Sequence, residues 1–365
     1  MELLEFHCDR ILTEIKWTGE AEVSDLNLDR FLAASLLQKS IRRGRTRWAL
    51  VAAKRLYDID PSRLWRRLII TLFEDIGVLD HTLPWDVLGS WRLSKKTQND
   101  LSWKLISHVV ENMCSVAKTQ SANNTVHLAL YDQQALAATN DLFDWTVEDC
   151  RIWLDSGTNS IVHCLRGMWI LSGMKMWGME TPQFHPDASM LALGPSIHKL
   201  VPYEDLRELL RIGLSAGGSI LALAATLIAS QAREKDFSTH LTSDYMPPER
   251  LITEVPSWIF DQYTKSGKRA LKRAATECPN VASVLNALHV SATHRASILG
   301  SIHFDLESVA IYRRLTNSYL TGLEQAAHEK GKYFDGDIFS EVTYSIRTDW
   351  NIFLQLRTEE VVRLT

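Results

Sequence analysis

Apolar positions recur at three- and four-residue intervals over Ala33 to Leu56, Ser62 to Ile76, Leu101 to Val116, Leu206 to Ile228 and Ser297 to Leu320. This is the period of an amphipathic helix, whereas the strict alternation of a half-buried strand is not sustained in any long segment. The pattern predicts an all-α protein, built as a multi-helix bundle or as stacked helical hairpins. Clusters of Pro, Asn and Ser interrupt it at "DIDP" (58–61), "HTLPWD" (81–86), "TQSANN" (119–124), "METPQFHPD" (179–187) and "SDYMPPER" (243–250). These breaks suggest a short helix with a polar connector over 1–28, a basic helical domain over 29–118, a helical middle region over 119–245 and a C-terminal helical region over 246–365. No repeat of fixed period is visible.

One segment bears on location. "IGLSAGGSILALAATLIA" (212–229) has no charge over 18 residues and just reaches the length of a membrane span. Its three glycines and two serines lower its hydrophobicity, so a buried core helix is the expectation, with no membrane partner. The N-terminus is charged within its first five residues and lacks an apolar signal core. Five cysteines are scattered without a C-x-x-C pair, which fits a reducing, cytoplasmic setting and encodes no local zinc site.

Charge changes the picture more than composition does. The chain of 365 residues is 45% hydrophobic and 23% charged, an ordinary globular mixture, with a net charge of −4. Residues 39–67 nonetheless hold ten basic side chains against two acids, a local charge of +8 that leaves −12 for the remainder. Such a window can attract a polyanion although the whole molecule is acidic, because salt screens the distant acids within about 8 to 10 Å. Arg42, Arg43, Arg45 and Arg47 are the expected phosphate contacts, and Trp48 beside them is a candidate to stack on a base.

The run "ASLLQKSIRRGRTRWALVAAKRLYDIDPSRLWRRLIITLFEDIG" resembles the helical region that follows the ATPase module in the replication-associated recombination ATPases of the RarA/MgsA group, relatives of the clamp loaders. The matching features are a helix ending near "KSIRRG", a second helix beginning "RWAL", a "D-x-DP" turn and an "RRL…EDIG" ending, which carries over Arg66, Arg67, Glu74, Asp75 and Gly77. The resemblance implies a clamp-loader-collar-like helical fold associated with DNA. ATP-driven activity is not implied, because no G-x-x-x-x-G-K-[ST] occurs in the chain. "VPSWIFDQYTKSGKRALKRA" with the later "HFDLESVAIY" looks like a weaker signature that accompanies such domains, with an Asp-x-x-Thr-x-x-Gly-Lys-Arg core.

Three constellations can carry chemistry. In "RRL…EDIG" a structural role is favoured, with Asp75 kept as a catalytic contender because it falls beside the apolar stripe. In "FDQYTKSGKRALKR" a helix would bring Asp261, Thr264, Lys265 and Lys268 to one face, while Arg269 and Lys272 extend the positive charge and Tyr263 offers an aromatic ring. A carboxylate among cations and an aromatic is what cleavage of a glycosidic bond in DNA requires. The alternative is an exposed helix with a weak Asp261–Lys265 pair. In "HRASILGSIHFDLESVAIYRR", His303, Glu307 and Arg314 share a helical face, so His303 and Glu307 are either an acid/base pair or part of a hydrogen-bonded network. No third ligand for a metal has recognisable spacing, and no cofactor is implied.

Two functions follow as expectations. The first is a DNA-binding protein acting on DNA in repair or in defence against foreign (phage) DNA, most concretely a DNA glycosylase using Asp261, Asp75, Glu307 or His303. The second is a non-catalytic, clamp-loader-like scaffold that binds a replication or repair protein or self-associates.

Overall fold

A computed structural model of the chain describes residues 2–15, 26–80, 82–96, 100–175, 182–235, 238–246, 249–330 and 336–363. It is an all-α, multi-helix fold: 19 α-helices and two short two-stranded ribbons are found among the described residues. Parts of the expected breaks at 179–187 and 243–250 and most of the expected N-terminal connector lie outside the described residues.

Local chemistry sets the helix ends. Asp29 begins the helix Arg30–Arg42 by accepting hydrogen bonds from the amides of Phe31 and Leu32. Gly44, at φ +64°, makes the turn into the helix Thr46–Ile59, and a Cβ there would lie 2.5 Å from the Tyr312 ring. Thr146 and Asp149 form a reciprocal capping box at the start of Val147–Asp155. Pro61 opens the helix Pro61–Thr71, where its missing N–H costs nothing.

The chain folds into two compact units, each assembled from three separate segments. The first comprises residues 1–21, 61–242 and 313–332; the second comprises 22–60, 243–312 and 333–365. The contiguous regions expected from the sequence differ from these units. The expected basic domain, 29–118, divides at Asp60/Pro61, because hydrophobic period marks helices but carries no information on which distant segments cover their apolar faces. Within the first unit, the strand His240–Thr242 pairs antiparallel with Arg314–Thr316. Within the second, the core gathers Leu271, Ala274, Val281, Leu299, Val342 and Phe353 from five helices, with Cys278 at the junction of two of them.

Three long periodic segments are broken, Ala33 to Leu56 at the Gly44 turn and two others further along the chain. The uncharged stretch 212–229 is divided between the helices Glu204–Ser215 and Ser219–Lys235, and no described helix is long and apolar enough to cross a membrane. Its glycines have a packing reason. The Phe73 ring, fully buried, lies against Gly213 and Gly218, and a Cβ on either would stand 2.5 Å or 2.8 Å from it. Ser297 to Leu320 is likewise not one helix. It runs as Ala292–His303, a π turn Phe304–Ser308, the strand Arg314–Thr316 and the helix Ser318–Lys330. The backbone of Ile311 is tied to Asp244 there, accepting from the Asp244 amide and donating to its carboxylate.

A Cβ at Gly218 would also meet the backbone oxygen of Gly213 at 2.9 Å, which cannot swing aside. Gly218→Ala is expected to destabilise the first unit by about 1–3 kcal/mol, the usual cost of overpacking a filled core. Adding Phe73→Leu should recover part of the loss in urea unfolding curves, and a Gly218→Ala chain as stable as the parent would contradict this packing.

Candidate functional site

The basic run "KSIRR" is where the sequence places phosphate contacts, and its helical phase decides its fate. Lys39, Ser40 and Arg43 continue the apolar stripe of Leu36 at i+3, i+4 and i+7. All three, with Arg42, are buried in the second unit. The Lys39 ammonium lies 2.6 Å from an Asp261 carboxylate oxygen and donates to the Trp258 carbonyl at 2.7 Å. Burial pushes the Lys39 amine down to about 8, against the opposing attraction of Asp261. Arg42 donates to the Ser308 carbonyl at 2.7 Å, and Arg43 donates to the Glu307 carbonyl with its guanidinium over the Trp258 ring. Arg42 is 1% exposed, so it and Arg43 are corrected from phosphate contacts to interior cations. A cation removed from water needs such acceptors, since burying it unpaired costs several kcal/mol.

The same cluster absorbs the acids. Asp261 lies outside the helix Lys265–Glu277, and its carboxylate turns inward to Lys39 and accepts from the Tyr263 amide at 2.8 Å. The Thr264 hydroxyl donates to the Asp261 carbonyl at 2.9 Å and accepts from the Gly267 amide, capping the helix. A Cβ at Gly267 would sit 2.0 Å from that carbonyl. The Asp-x-x-Thr-x-x-Gly core is therefore a tight turn and cap. The expected face shared by Asp261, Lys265 and Lys268 does not form, and neither does the Asp261–Lys265 pair, because Lys39 takes the carboxylate.

His303 and Glu307 do meet, at 2.9 Å, but inside the core. Arg357 binds the same Glu307 oxygen at 2.7 Å, also contacts His303, and donates to the Ser257 carbonyl at 2.6 Å. The Ser257 hydroxyl donates to the other Glu307 oxygen at 3.0 Å. Burial alone would raise the Glu307 pKa. Arg357 and the His303 hydrogen bond outweigh it and hold the carboxyl well below the usual range. Burial, followed by the Arg357 charge, lowers the His303 pKa. The cavity beside His303, walled by Leu271, Cys278, Leu299 and Phe353, is about 10 Å³, space for one water at most. A nucleotide cannot enter it. Arg314, expected on the same face, lies in the first unit and pairs with Glu324 at 3.0 Å.

Asp75 also belongs to the first unit. It is fully buried in the π turn Leu72–Ile76 and accepts from the Gln120 side chain at 3.3 Å. Gly77 closes the turn at φ +80° by donating to the Leu72 carbonyl. The "EDIG" ending is thus a helix-terminating device. Among the described residues, no group of three or more His, Cys, Asp or Glu is placed to hold a metal ion.

Lys265, Lys268, Arg269 and Lys272 behave differently from every cation above. All four are exposed on one face of the helix Lys265–Glu277, and none pairs with an acid among the described residues. Arg273, next in line, is engaged by Glu277, Glu359 and Glu360. Tyr263 stands just before the helix, 67% exposed, in perpendicular contact with Phe304 at 5.6 Å. Arg45 and Arg47 are exposed as well, and Glu249 lies 3.8 Å from Arg45 and accepts from the Trp48 indole at 3.0 Å. Arg357 and Ser257 carry no motif. The available signal for Arg357 is its place on the apolar phase of "NIFLQLRTEEVV", between Phe353 and Val361.

Glu307 and His303 both bind protons less readily in the folded chain than in the unfolded one. Stability is therefore expected to fall with pH, first below about 6.5, where an unfolded histidine protonates, and further below about 4.3, where an unfolded glutamate does. Glu307→Gln leaves Arg357 without its buried counter-charge, so urea unfolding at pH 7 should show a loss of about 3–5 kcal/mol and a shallower acid limb. An unchanged acid limb would place the pH dependence elsewhere.

Comparison with known proteins finds no matching family model, no matching curated protein and no matching solved structure.

Proposed function

We propose that the chain is a DNA-binding protein that meets its ligand on the exposed face of the helix Lys265–Glu277, with its buried acids serving as internal counter-ions rather than as catalysts. The observation that carries this reading is the state of four cations. Lys265, Lys268, Arg269 and Lys272 stand at i, i+3, i+4 and i+7 on a capped helix, in solvent, without acid partners among the described residues. Long cationic side chains left unpaired on one rigid face can each displace a counterion from a phosphate. Of the basic residues in "KSIRR", Lys39 is consumed by Asp261 in the turn before this helix, and Arg42 and Arg43 by the Ser308 and Glu307 carbonyls. The resemblance of residues 34–77 to the helical region of replication-associated ATPases favours DNA over other polyanions.

On this reading the base-excision chemistry expected from the sequence has no reacting group at the surface, because Asp261, Glu307, His303 and Asp75 are all buried and held by neighbours. The scaffold alternative has no comparable observation in its favour.

Four phosphate contacts predict that the affinity for duplex DNA falls with salt on a log–log slope of about −3.6. Fluorescence anisotropy titrations between low and moderate salt measure it. The pair Lys268→Glu and Arg269→Glu should weaken binding more than tenfold without changing the thermal melt. A salt-independent affinity, or one untouched by these exposed substitutions, would remove the reading.

A further inference from the structure

Resting on that reading, we infer that the second unit holds a separate contact for unpaired bases at the Gly44 turn, where Tyr245 and Tyr312 take the bases of a single strand and Arg47 meets its phosphates. The turn joins the helix Arg30–Arg42 to Thr46–Ile59, and two distant segments cross it. The Arg42 carbonyl accepts from the Tyr312 amide at 3.0 Å, and the Tyr312 ring lies so close to Gly44 that a Cβ would not fit between them. Met246 reaches the same place, its sulfur accepting from Arg43 at 3.9 Å.

Both rings stand in solvent. Tyr245 is 79% exposed and Tyr312 45%, and neither side chain meets another ring, a cation or a hydrogen-bond partner among the described residues. Their backbone is nonetheless fixed. The Asp244 amide donates to the Ile311 carbonyl at 3.0 Å and its carboxylate accepts from the Ile311 amide at 2.9 Å, so the residue before each tyrosine is tied to the other segment. An aromatic on backbone held in this way loses little further freedom on binding, as a preorganised stacking surface requires.

Arg47 is exposed in the first turn of Thr46–Ile59 and has no acid partner among the described residues. The neighbouring acid, Glu249, faces Arg45 and the Trp48 indole instead. A guanidinium beside uncovered aromatic rings is the composition that follows a single strand, with the cation on the backbone and the rings on the bases. Inside a duplex each base is stacked on both sides, and bringing one out costs unstacking and unpairing. A single strand offers its bases without that cost. The contact adds to the cationic face, because Lys39, on the helix that ends at this turn, holds Asp261 four residues before Lys265. A duplex meets the cationic face alone, whereas a single strand long enough to span the two engages both.

The test uses the full chain with a 20-nucleotide dT strand, a blunt 20-base-pair duplex and a 20-nucleotide rU strand, each followed by fluorescence anisotropy. The dT strand is expected to bind more tightly than the duplex. Tyr245→Ala should lose about tenfold in affinity for dT, with duplex binding unchanged, and Tyr245→Phe should retain most of it. Arg47→Ala should make the log–log salt slope for dT shallower by about 0.7, one phosphate contact. Because Tyr245 and Arg47 are exposed, circular dichroism melts of these variants should match the parent. Equal loss on strand and duplex, or no loss on either, overturns the inference; if Lys268→Glu with Arg269→Glu still weakens binding, the proposed function survives that failure. Binding unchanged in every variant removes both, and tighter binding to rU than to dT overturns the assignment to DNA.

Discussion

The buried ion pair between Lys39 and Asp261 is the constraint on which the second unit turns. An ammonium and a carboxylate taken out of water repay their desolvation only when their remaining hydrogen-bonding capacity is met. Here the Trp258 carbonyl and the Tyr263 amide meet part of it. The pair joins the end of the helix Arg30–Arg42 to the turn that starts the helix Lys265–Glu277, and so determines where the exposed cations and Tyr263 stand. Arg42 and Arg43 repeat the arrangement on the π turn Phe304–Ser308, which in turn carries Glu307 to Arg357.

This explains why one chain holds two kinds of basic residue in similar local sequence. The side chains of Lys39, Arg42 and Arg43 find carbonyls and acids on segments that return from far along the chain. Those of Lys265, Lys268, Arg269 and Lys272 occur on the outward phase of a helix whose inward phase is Ala270, Leu271, Ala274 and Ala275. Helical phase sorts them, and burial of the inward phase in the core of the second unit holds the sorting in place.

The helical character of the chain was legible because the period of apolar residues is a local property. The segment 212–229 reads as core because its glycines and serines lower its hydrophobicity, but its division into two helices and the approach of Phe73 to Gly213 and Gly218 are not local properties. The sequence places Asp261 and the His303–Glu307 pair in separate constellations, whereas the structure gathers them into one buried cluster with the "KSIRR" cations. Their role was not legible. Whether a carboxylate faces a cleft or a buried lysine depends on a partner more than two hundred residues away, and no spacing within "FDQYTKSGKR" reports it. The phase of Lys39 and Arg43 relative to Leu36 did carry the warning, because a basic residue continuing an apolar stripe must either find an interior partner or break the helix face.

Lysine acetylation followed by mass spectrometry, with and without duplex DNA, reads both halves of this division in one experiment. Lys265, Lys268 and Lys272 should be modified rapidly in the free native chain and protected when DNA is present, while Lys39 stays unmodified in both. Modification of Lys39 in the native chain, or failure of DNA to protect any of the three helix lysines, would contradict it.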